Sequence, residues 1–469
     1  MPIAGVINIP AQRDTFKGDI YNGSHLNGDQ IRVYEGKLGS KKPYADSPWE
    51  ANNLVTTDEF KSMKGKPRTV GSAVHKLANF ASGGYGFSIG ANCYIWDFAA
   101  ALPIIRGAGG DMLIWDEEQW KRYEDIDPSK FDHKHSFPII AASRENLSLL
   151  TKNITFSADK KQEFVSEPSN IPILQSDEKP TDYDPEVLKR FQALTPSICE
   201  ISRKNILGAS VGTVSFKEDQ SEQTPADVRI EEELKALLLG EFPDFGFVGE
   251  ETETQSTKSR YNFVVDPIDG TSNYSNGLPI FSTTISLTCD GKPIGGIIYF
   301  PKLDMVVFDD DKNTFVNRFN RHGDWRPEEV SIRDDIFDCE DDKIPFGFDS
   351  NARSKARYGQ EISKILNQPR TFGGATSIIA YTACGKLGGF VLSDAKLFDY
   401  AGGVSLVGKA GGQVFVLDEE SGEWKEFTDM ADILLQNPNE KRFVVGGGPK
   451  TVKKILENIH PTPHKKTTG

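Results

Sequence analysis

No stretch of the chain approaches the roughly 20 consecutive apolar residues that a membrane-spanning helix requires. The opening run from Met1 to Pro10 has neither the basic start nor the long apolar core of a secretory signal. Cysteine is scarce. Cys93, Cys199, Cys289, Cys339 and Cys384 are scattered and odd in number, and none belongs to a Cys-x-x-Cys pair. That pattern speaks against a disulfide framework and for a reducing, cytoplasmic compartment. Positive charge is also short: 54 Lys and Arg face 68 Asp and Glu, a formal net charge of -14. A chain of this balance lacks the clustered basic face that nucleic acid or an anionic lipid surface calls for. It leaves a phosphate substrate open, because a bound metal inverts the local potential. What remains is a soluble globular composition, 38% hydrophobic and 26% charged over 469 residues, enough for about two or three domains.

The chain repeats itself. Gly71-Ser72-Ala73, Asp97 within Ile95–Ala100, and Gly109-Gly110 lie 302 residues before Gly373-Gly374-Ala375, Asp399 within Leu397–Gly402, and Gly411-Gly412. Upstream, Pro2 to Pro10 resembles Pro293 to Pro301 at an offset of 291. Collinear matches with one change of spacing indicate duplication with a loop-length difference. The first copy starts in mid-unit, and a Pro-, Ser- and acid-rich stretch from Ser166 to Pro185 separates the copies as an exposed linker. Periodicity in the second copy predicts helices over 187–207, 228–240, 377–385 and 400–409, and strands over 245–249, 261–265, 279–287 and 293–300. Strands and helices alternate throughout, so the class is mixed α/β.

Acids gather at the ends of these elements. Val264-Val265 runs into Asp266, Pro267-Ile268 turn the chain, and Asp269 returns three residues later, followed by Gly270-Thr271-Ser272. Two carboxylates so close repel each other unless a cation lies between them, and hard oxygen ligands select Mg²⁺, Mn²⁺ or Ca²⁺. The Gly270-Thr271-Ser272 amides would receive an anion if a helix begins there. A second strand ends in Glu250-Glu251, and Asp399 stands at a helix start. Turn formation explains Asp266 and Asp269 as well, and helix capping explains Asp399. Strands delivering acids together fit metal-assisted phosphate chemistry better.

In order along the chain, Phe247-Val248-Gly249-Glu250-Glu251, Asp266-Pro267-Ile268-Asp269-Gly270-Thr271-Ser272-Asn273-Tyr274, Gly277-Leu278-Pro279, Phe398-Asp399-Tyr400-Ala401-Gly402 and Ala410-Gly411-Gly412 resemble the inositol monophosphatase family. The resemblance implies a layered α-β-α-β-α sugar-phosphatase-like fold, here partially duplicated, and Mg²⁺-dependent hydrolysis of a small phosphate monoester. It divides the chain into an incomplete unit (1–157), a linker (158–183), a complete catalytic unit (184–458) and a tail (459–469). It implies that Glu250, Asp266, Asp269, Asp399 and the carbonyl of Ile268 ligate metal, with Asp227 near a further ion. Gly270, Thr271 and Ser272 would hold the phosphate, and the turn Gly373-Gly374-Ala375 would lie near the substrate. Thr271 would orient the attacking water, with Glu250 or Asp227 taking its proton. None of the seven histidines lies in these motifs, and metal-assisted hydrolysis needs none.

The chain departs from the pattern at Leu392. Inositol-specific members carry an acid seven residues before the last metal Asp, and here the nearest acid is Asp394. Other sugar phosphates, histidinol phosphate and a nucleotide 3′-phosphate are therefore candidate substrates beside inositol phosphate. A non-catalytic regulatory or interaction protein is the alternative from another class. Two competing motifs fall away. Gly403 to Ala410 misses the Ser or Thr that ends a P-loop, and Met305 to Thr314 reads as an acidic hairpin tip rather than an aspartyl-phosphate loop. The first copy keeps Asp97 but no other motif acid, and one carboxylate does not enclose two cations, so residues 1–157 are expected to be inert, whether a degenerate copy or an incomplete gene model. The resemblance suggests a homodimer, although the extra half-unit could cover the surface concerned.

Overall fold

The computed structural model describes residues 1–39, 42–46, 54–63, 65–156, 165–174, 182–207, 212–217, 221–252, 259–319, 324–338, 344–363, 365, 368–418, 420–427 and 438–462. Cys339, most of the expected tail and parts of the expected linker lie outside them. The chain forms two compact units, Met1–Glu163 with Asn276–Leu278, and Phe164–Ser275 with Pro279–Gly469.

The first unit opens with an antiparallel sheet of four consecutive strands: β1 (Ala4–Ile9), β2 (Asp14–Asp19), β3 (Gly23–Leu26) and β4 (Asp29–Ile31). Helix α1 (Ala73–Ala81) leads to strand β5 (Phe87–Cys93). The short helix α2 (Ile95–Phe98) and helix α3 (Ala101–Gly107) precede β6 (Gly110–Asp116), and β7 (Phe137–Ser143) follows. A six-stranded sheet runs in the order Gln119–Lys121, β6, β7, β5, Tyr44–Ala45, Pro67–Arg68. Ile7, Phe16 and Ile31 of the first sheet, Leu77 and Phe80 of α1, Leu102, Ile104 and Ile105 of α3, and Met112, Ile114 and Ile139 of the second sheet form one buried cluster.

The second unit has five layers. Helices α4 (Pro185–Ala193), α5 (Thr195–Leu207) and α6 (Pro225–Glu241) form the first. A seven-stranded sheet follows, ordered β8 (Gly246–Gly249), β9 (Tyr261–Asp269), β10 (Ser282–Cys289), β11 (Lys292–Phe300), β12 (Met305–Asp309), β13 (Thr314–Arg318) and β14 (Glu328–Val330), with the short helix α7 (Thr271–Ser275) after β9. Helices α8 (Ala375–Ala383) and α9 (Leu397–Lys409) make the middle layer. A second sheet contains β15 (Gly389–Ala395), β16 (Gln413–Asp418), β17 (Glu423–Glu426) and β18 (Arg442–Gly447), and the helix Pro449–Leu456 packs outside it. Alternation along β9 sorts its side chains between two cores: Phe263 and Val265 meet α4–α6, and Val264 meets α8 and α9. This is the α-β-α-β-α arrangement that the resemblance implies.

Local chemistry explains the departures. The helix expected over 187–207 is two helices, because Pro196 in the first turn of α5 has no N–H to continue the ladder and the Thr195 hydroxyl bonds Gln192 O at 2.7 Å. Strand β9 runs on through Asp269, four residues beyond the expected end. In the region read as linker, Ile173–Leu174 pairs in parallel with Trp424–Lys425. The expected acidic hairpin tip is a hairpin between β12 and β13, but Asp309 is fully buried. It accepts from Gly296 N at 3.1 Å and Ser405 Oγ at 2.5 Å, with Lys409 Nζ at 3.3 Å.

One contact sets the spacing between helix and sheet in both units. A Cβ at Gly296 of β11 would lie 2.1 Å from Gly402 O of α9, and one at Gly5 of β1 would lie 2.0 Å from Ala100 O. A backbone carbonyl inside a packed helix yields little, and overpacking of this kind costs about 1–3 kcal/mol or more. Gly296→Ala is therefore expected to destabilise the fold by about 1 kcal/mol or more, read as lower urea and thermal midpoints, and an unchanged midpoint would contradict the packing described.

Candidate active site

The acids of the site sit at the ends of elements or, for Asp266, at a bulge within one. Strand β8 lies in parallel against β9, and Glu250 follows its last residue, with its N–H donating to Val265 O at 3.2 Å. The pairing of β9 with β10 slips between Asp266 and Asp269. Pro267 and Ile268 bulge there, held by Thr283 Oγ1 donating to Pro267 O at 2.7 Å. Asp399 is the third residue of α9, and its Oδ2 accepts from Lys396 N at 2.6 Å. Oxygens of Asp266, Asp269 and Asp399 all fall within 4.8 Å of one another.

Asp269 also acts as the cap of α8. Its Oδ1 accepts from Ala375 N at 3.1 Å, and its Oδ2 accepts from Thr376 N at 3.0 Å and Thr376 Oγ1 at 2.5 Å. The carboxylate thus takes orphan amides that an N-cap side chain ordinarily satisfies. This accounts for Gly374, where a Cβ would lie 2.4 Å from Asp269 Oδ2. In the first unit the matching position is Ser72, whose Oγ caps α1 itself by accepting from His75 N. Gly373 and Gly270 both have left-handed φ, +86° and +87°.

Burial, followed by neighbouring acids, drives the protonation of this cluster. Asp266 is pushed well above the usual carboxylate range by burial, then by Glu250, Asp269 and Asp399. Asp399 rises to about 8 by burial and the charges of Asp269 and Glu250. Asp269 rises to about 6, burial outweighing its bonds to Thr376 and Ala375. Asp266 Oδ1 is buried and has no hydrogen-bond partner. A buried orphan oxygen beside two further carboxylates is a donor set for a hard divalent cation, which satisfies the orphan and neutralises the repulsion together.

Asp227, in the first turn of α6, accepts at Oδ2 from Thr224 N at 2.7 Å and Thr224 Oγ1 at 2.5 Å, and burial raises it to about 7. Thr271 Oγ1 stands 3.2 Å from Asp227 Oδ1 and 2.9 Å from Ile268 O, which joins Asp227, Thr271 and the Ile268 carbonyl. Gly270, Thr271 and Ser272 form the turn entering α7, closed by Asn273 N and Tyr274 N on Gly270 O. Leu392 lies fully buried in the core between the middle helices and the second sheet. Asp394 bonds Asn351 Nδ2 at 2.6 Å and Lys355 Nζ at 2.5 Å. In the first unit, Asp97 repeats the Asp399 geometry by accepting from Tyr94 N at 2.8 Å.

Sequence reasoning missed four groups at this site. Lys217 Nζ bridges Glu250 at 3.0 Å and Glu251 at 2.7 Å, and Lys396 Nζ lies 3.9 Å from Glu250 Oε1. Glu231, fully buried, accepts from Glu251 N at 2.9 Å and Thr252 N at 2.7 Å, fixing the end of β8. Thr376 holds Asp269. Only Lys396, three residues before Asp399, carried a positional hint.

The model of the inositol monophosphatase family matches residues 1–158 and 193–457. An inositol-1-monophosphatase of Mesorhizobium japonicum is 28% identical over 245 residues, which cover 52% of this chain and 87% of that protein. Inositol-1-monophosphatase ImpA of Mycolicibacterium smegmatis is 28% identical over 290 residues, 60% of this chain and 96% of that protein. Nus factor SuhB of Xylella fastidiosa is 32% identical over 195 residues, 40% of this chain and 66% of that protein.

Two outcomes follow from the buried acids. A carboxyl whose folded pKa is raised holds protons that the unfolded chain has released, so stability is lost as pH rises through the interval between the two values. With chelator present, the thermal midpoint is expected to fall from about pH 4, the ordinary carboxylate range, up through about 8, the Asp399 value. Added Mg²⁺ is expected to flatten that fall, and a midpoint indifferent to both pH and Mg²⁺ would contradict the cluster described. Gly374→Ala is expected to displace Asp269 and to shrink the stabilisation by Mg²⁺, measured as the midpoint shift across a Mg²⁺ titration.

Proposed function

The chain belongs to the inositol monophosphatase family, and we propose that it is a Mg²⁺-dependent phosphomonoester hydrolase acting through residues 184–458. The observation that carries this reading is the convergence of Asp266, Asp269 and Asp399 within 4.8 Å, with Asp266 Oδ1 left orphaned. Those three acids, with Glu250 and the Ile268 carbonyl, would hold the cation, and Asp227 would stand near a further ion. A bound divalent cation lowers the pKa of water and neutralises charge on a leaving alkoxide.

The chain's own groups do the rest. The amides of Gly270, Thr271 and Ser272, at the entrance to α7, are placed to bind phosphoryl oxygens. The Thr271 hydroxyl donates to Asp227 or to the Ile268 carbonyl, leaving its oxygen to accept from a water and orient it. That water attacks phosphorus as the ester P–O bond breaks. Asp227, in contact with Thr271, takes the water's proton, and the alcohol leaves after protonation by solvent. Glu250, already engaged by Lys217 and Lys396, is the less available acceptor. The first unit, with Asp97 alone, contributes no turnover.

The names of the relatives from Mesorhizobium and Mycolicibacterium favour inositol phosphate as the ester. Leu392, buried in the core, favours a related small phosphate instead, such as a sugar phosphate, histidinol phosphate or a nucleotide 3′-phosphate. A regulatory role is the second reading, favoured by the name of the Xylella relative.

Phosphate release from inositol 1-phosphate and from the other esters separates these readings. Turnover is expected with Mg²⁺ and none with chelator. Asp266→Asn is expected to lower kcat/KM by roughly 10²–10³-fold or more, the scale of a lost electrostatic contact to the reacting group, while Asp97→Asn leaves it unchanged. A folded chain with ample Mg²⁺ that hydrolyses none of these esters would move the weight to the regulatory reading.

A further inference from the structure

The loop after α7 has its tip in the first unit. From α7 the chain runs through Asn276-Gly277-Leu278 to Pro279 and on into β10, and those three residues belong to the first unit while both flanks belong to the second. Tyr274 and Phe281, on either side, are buried in the core of the second unit. Leu278, between them, is 2% exposed. It lies in the core cluster whose other buried members all fall between Ile7 and Ala141.

The first unit is shaped to take this tip. Helix α1 runs out into Ser82-Gly83-Gly84, and Gly84 N donates to Asn79 O at 3.0 Å. A Cβ at Gly84 would lie 2.8 Å from Leu278 Cδ2 and 3.4 Å from Asn276 O, so the leucine takes the space a side chain would need. At the matching place, 302 residues on, the second unit has Lys386. Lys42 Nζ donates to Asn276 Oδ1 at 2.7 Å, and Gly277 turns the tip with a left-handed φ of +69°. The base of the loop is tied as well. Asn273 Nδ2 donates to Ile280 O at 2.5 Å and to Phe372 O at 2.6 Å, and Ser275 Oγ donates to Ser272 O at 3.2 Å. Only Asn273, Tyr274 and Ser275 separate the turn Gly270-Thr271-Ser272 from the anchored tip.

We infer that Leu278 is a positioning residue through which the first unit holds the turn Gly270-Thr271-Ser272 in place. The first unit, which lacks the acid cluster, then serves the active site as an anchor. A helix of five residues is far too short to hold its own shape, so the amides at its start are fixed by what holds its two ends. One end follows the buried strand β9. The other leads to a leucine kept out of water in the core of the first unit and to an asparagine held by Lys42. The role given to the turn rests on the phosphatase reading; the anchoring does not.

Three variants of the full chain test it. Leu278→Ala empties the seat, Leu278→Met refills it with an apolar side chain of similar volume, and Lys42→Met removes the ammonium from Asn276. Leu278→Ala and Lys42→Met are expected to quicken amide exchange over Thr271–Ser275, a reading that needs no turnover. They are also expected to weaken inhibition by inorganic phosphate and to lower kcat/KM, by up to about 100-fold for Leu278→Ala, the scale of a misplaced binding group. Leu278→Met is expected to recover most of each loss. The thermal shift produced by Mg²⁺ is expected to stay at the wild-type value, because Asp266, Asp269 and Asp399 lie off this loop, whereas a general loosening of the fold would reduce it. If Leu278→Ala shows no thermal transition, Lys42→Met decides by the same readings. Exchange and phosphate inhibition that stay at wild-type values in the folded variants, or a Leu278→Met no better than Leu278→Ala, would overturn the inference. A wild type that neither hydrolyses an ester nor binds phosphate would overturn the phosphatase reading instead, and the exchange rates would still decide the anchoring.

Discussion

Carboxylates that repel one another are held together here, and the architecture around them is arranged to oppose that repulsion. Oxygens of Asp266, Asp269 and Asp399 within 4.8 Å would be cheap to separate on a flexible surface. They stay together because each belongs to an element packed into the core: a strand buried at every residue after Tyr261 for Asp266 and Asp269, and the first turn of a largely buried helix for Asp399. Moving any of them apart would pull a strand or helix out of that packing. The raised pKa values are the electrostatic counterpart of this rigidity, with burial as the leading cause in each case.

The same acids also complete the backbone. Asp269 caps α8, Asp399 accepts the amide of Lys396, and Asp227 accepts that of Thr224. Each helix start therefore has its amides satisfied by a group of the site, and the orientation of each carboxylate is set by a hydrogen bond rather than by packing alone. The pairing of Gly374 with Asp269 shows the interdependence. In the second unit the cap comes from another strand and the cap position itself must be glycine, whereas in the first unit Ser72 caps its own helix and no second carboxylate is needed.

The two units accordingly share a scaffold and differ in what they present. The close approach of strand and helix survives in both, at Gly5 and at Gly296, as does the Asp97 and Asp399 capping geometry. Lys17 and His25 stand on the sheet face where, in the second unit, Phe308 and Phe315 face the helical layer. A duplicated fold can thus keep its middle layers, because those are set by glycine contacts and apolar alternation, while its outer surfaces change with whatever covers them.

The α/β class, the repeat, the strands leading to Glu250 and Asp266, and the candidate acids were legible in the amino-acid sequence. Local alternation, turn residues and motif spacing are properties of contiguous residues. The break at Thr195-Pro196, the burial of Asp309 and the run of β9 through Asp269 were not, since helical spacing masks a break at proline and a bulge depends on the partner strand. What only the tertiary structure decided is how separate segments meet. Lys217 and Lys396 on Glu250, Glu231 beneath the end of β8, Thr376 on Asp269 and Thr271 beside Asp227 are contacts between residues far apart in the chain or across a turn. No local propensity encodes such contacts; they exist because packing in the core brings the ends of those elements to one place.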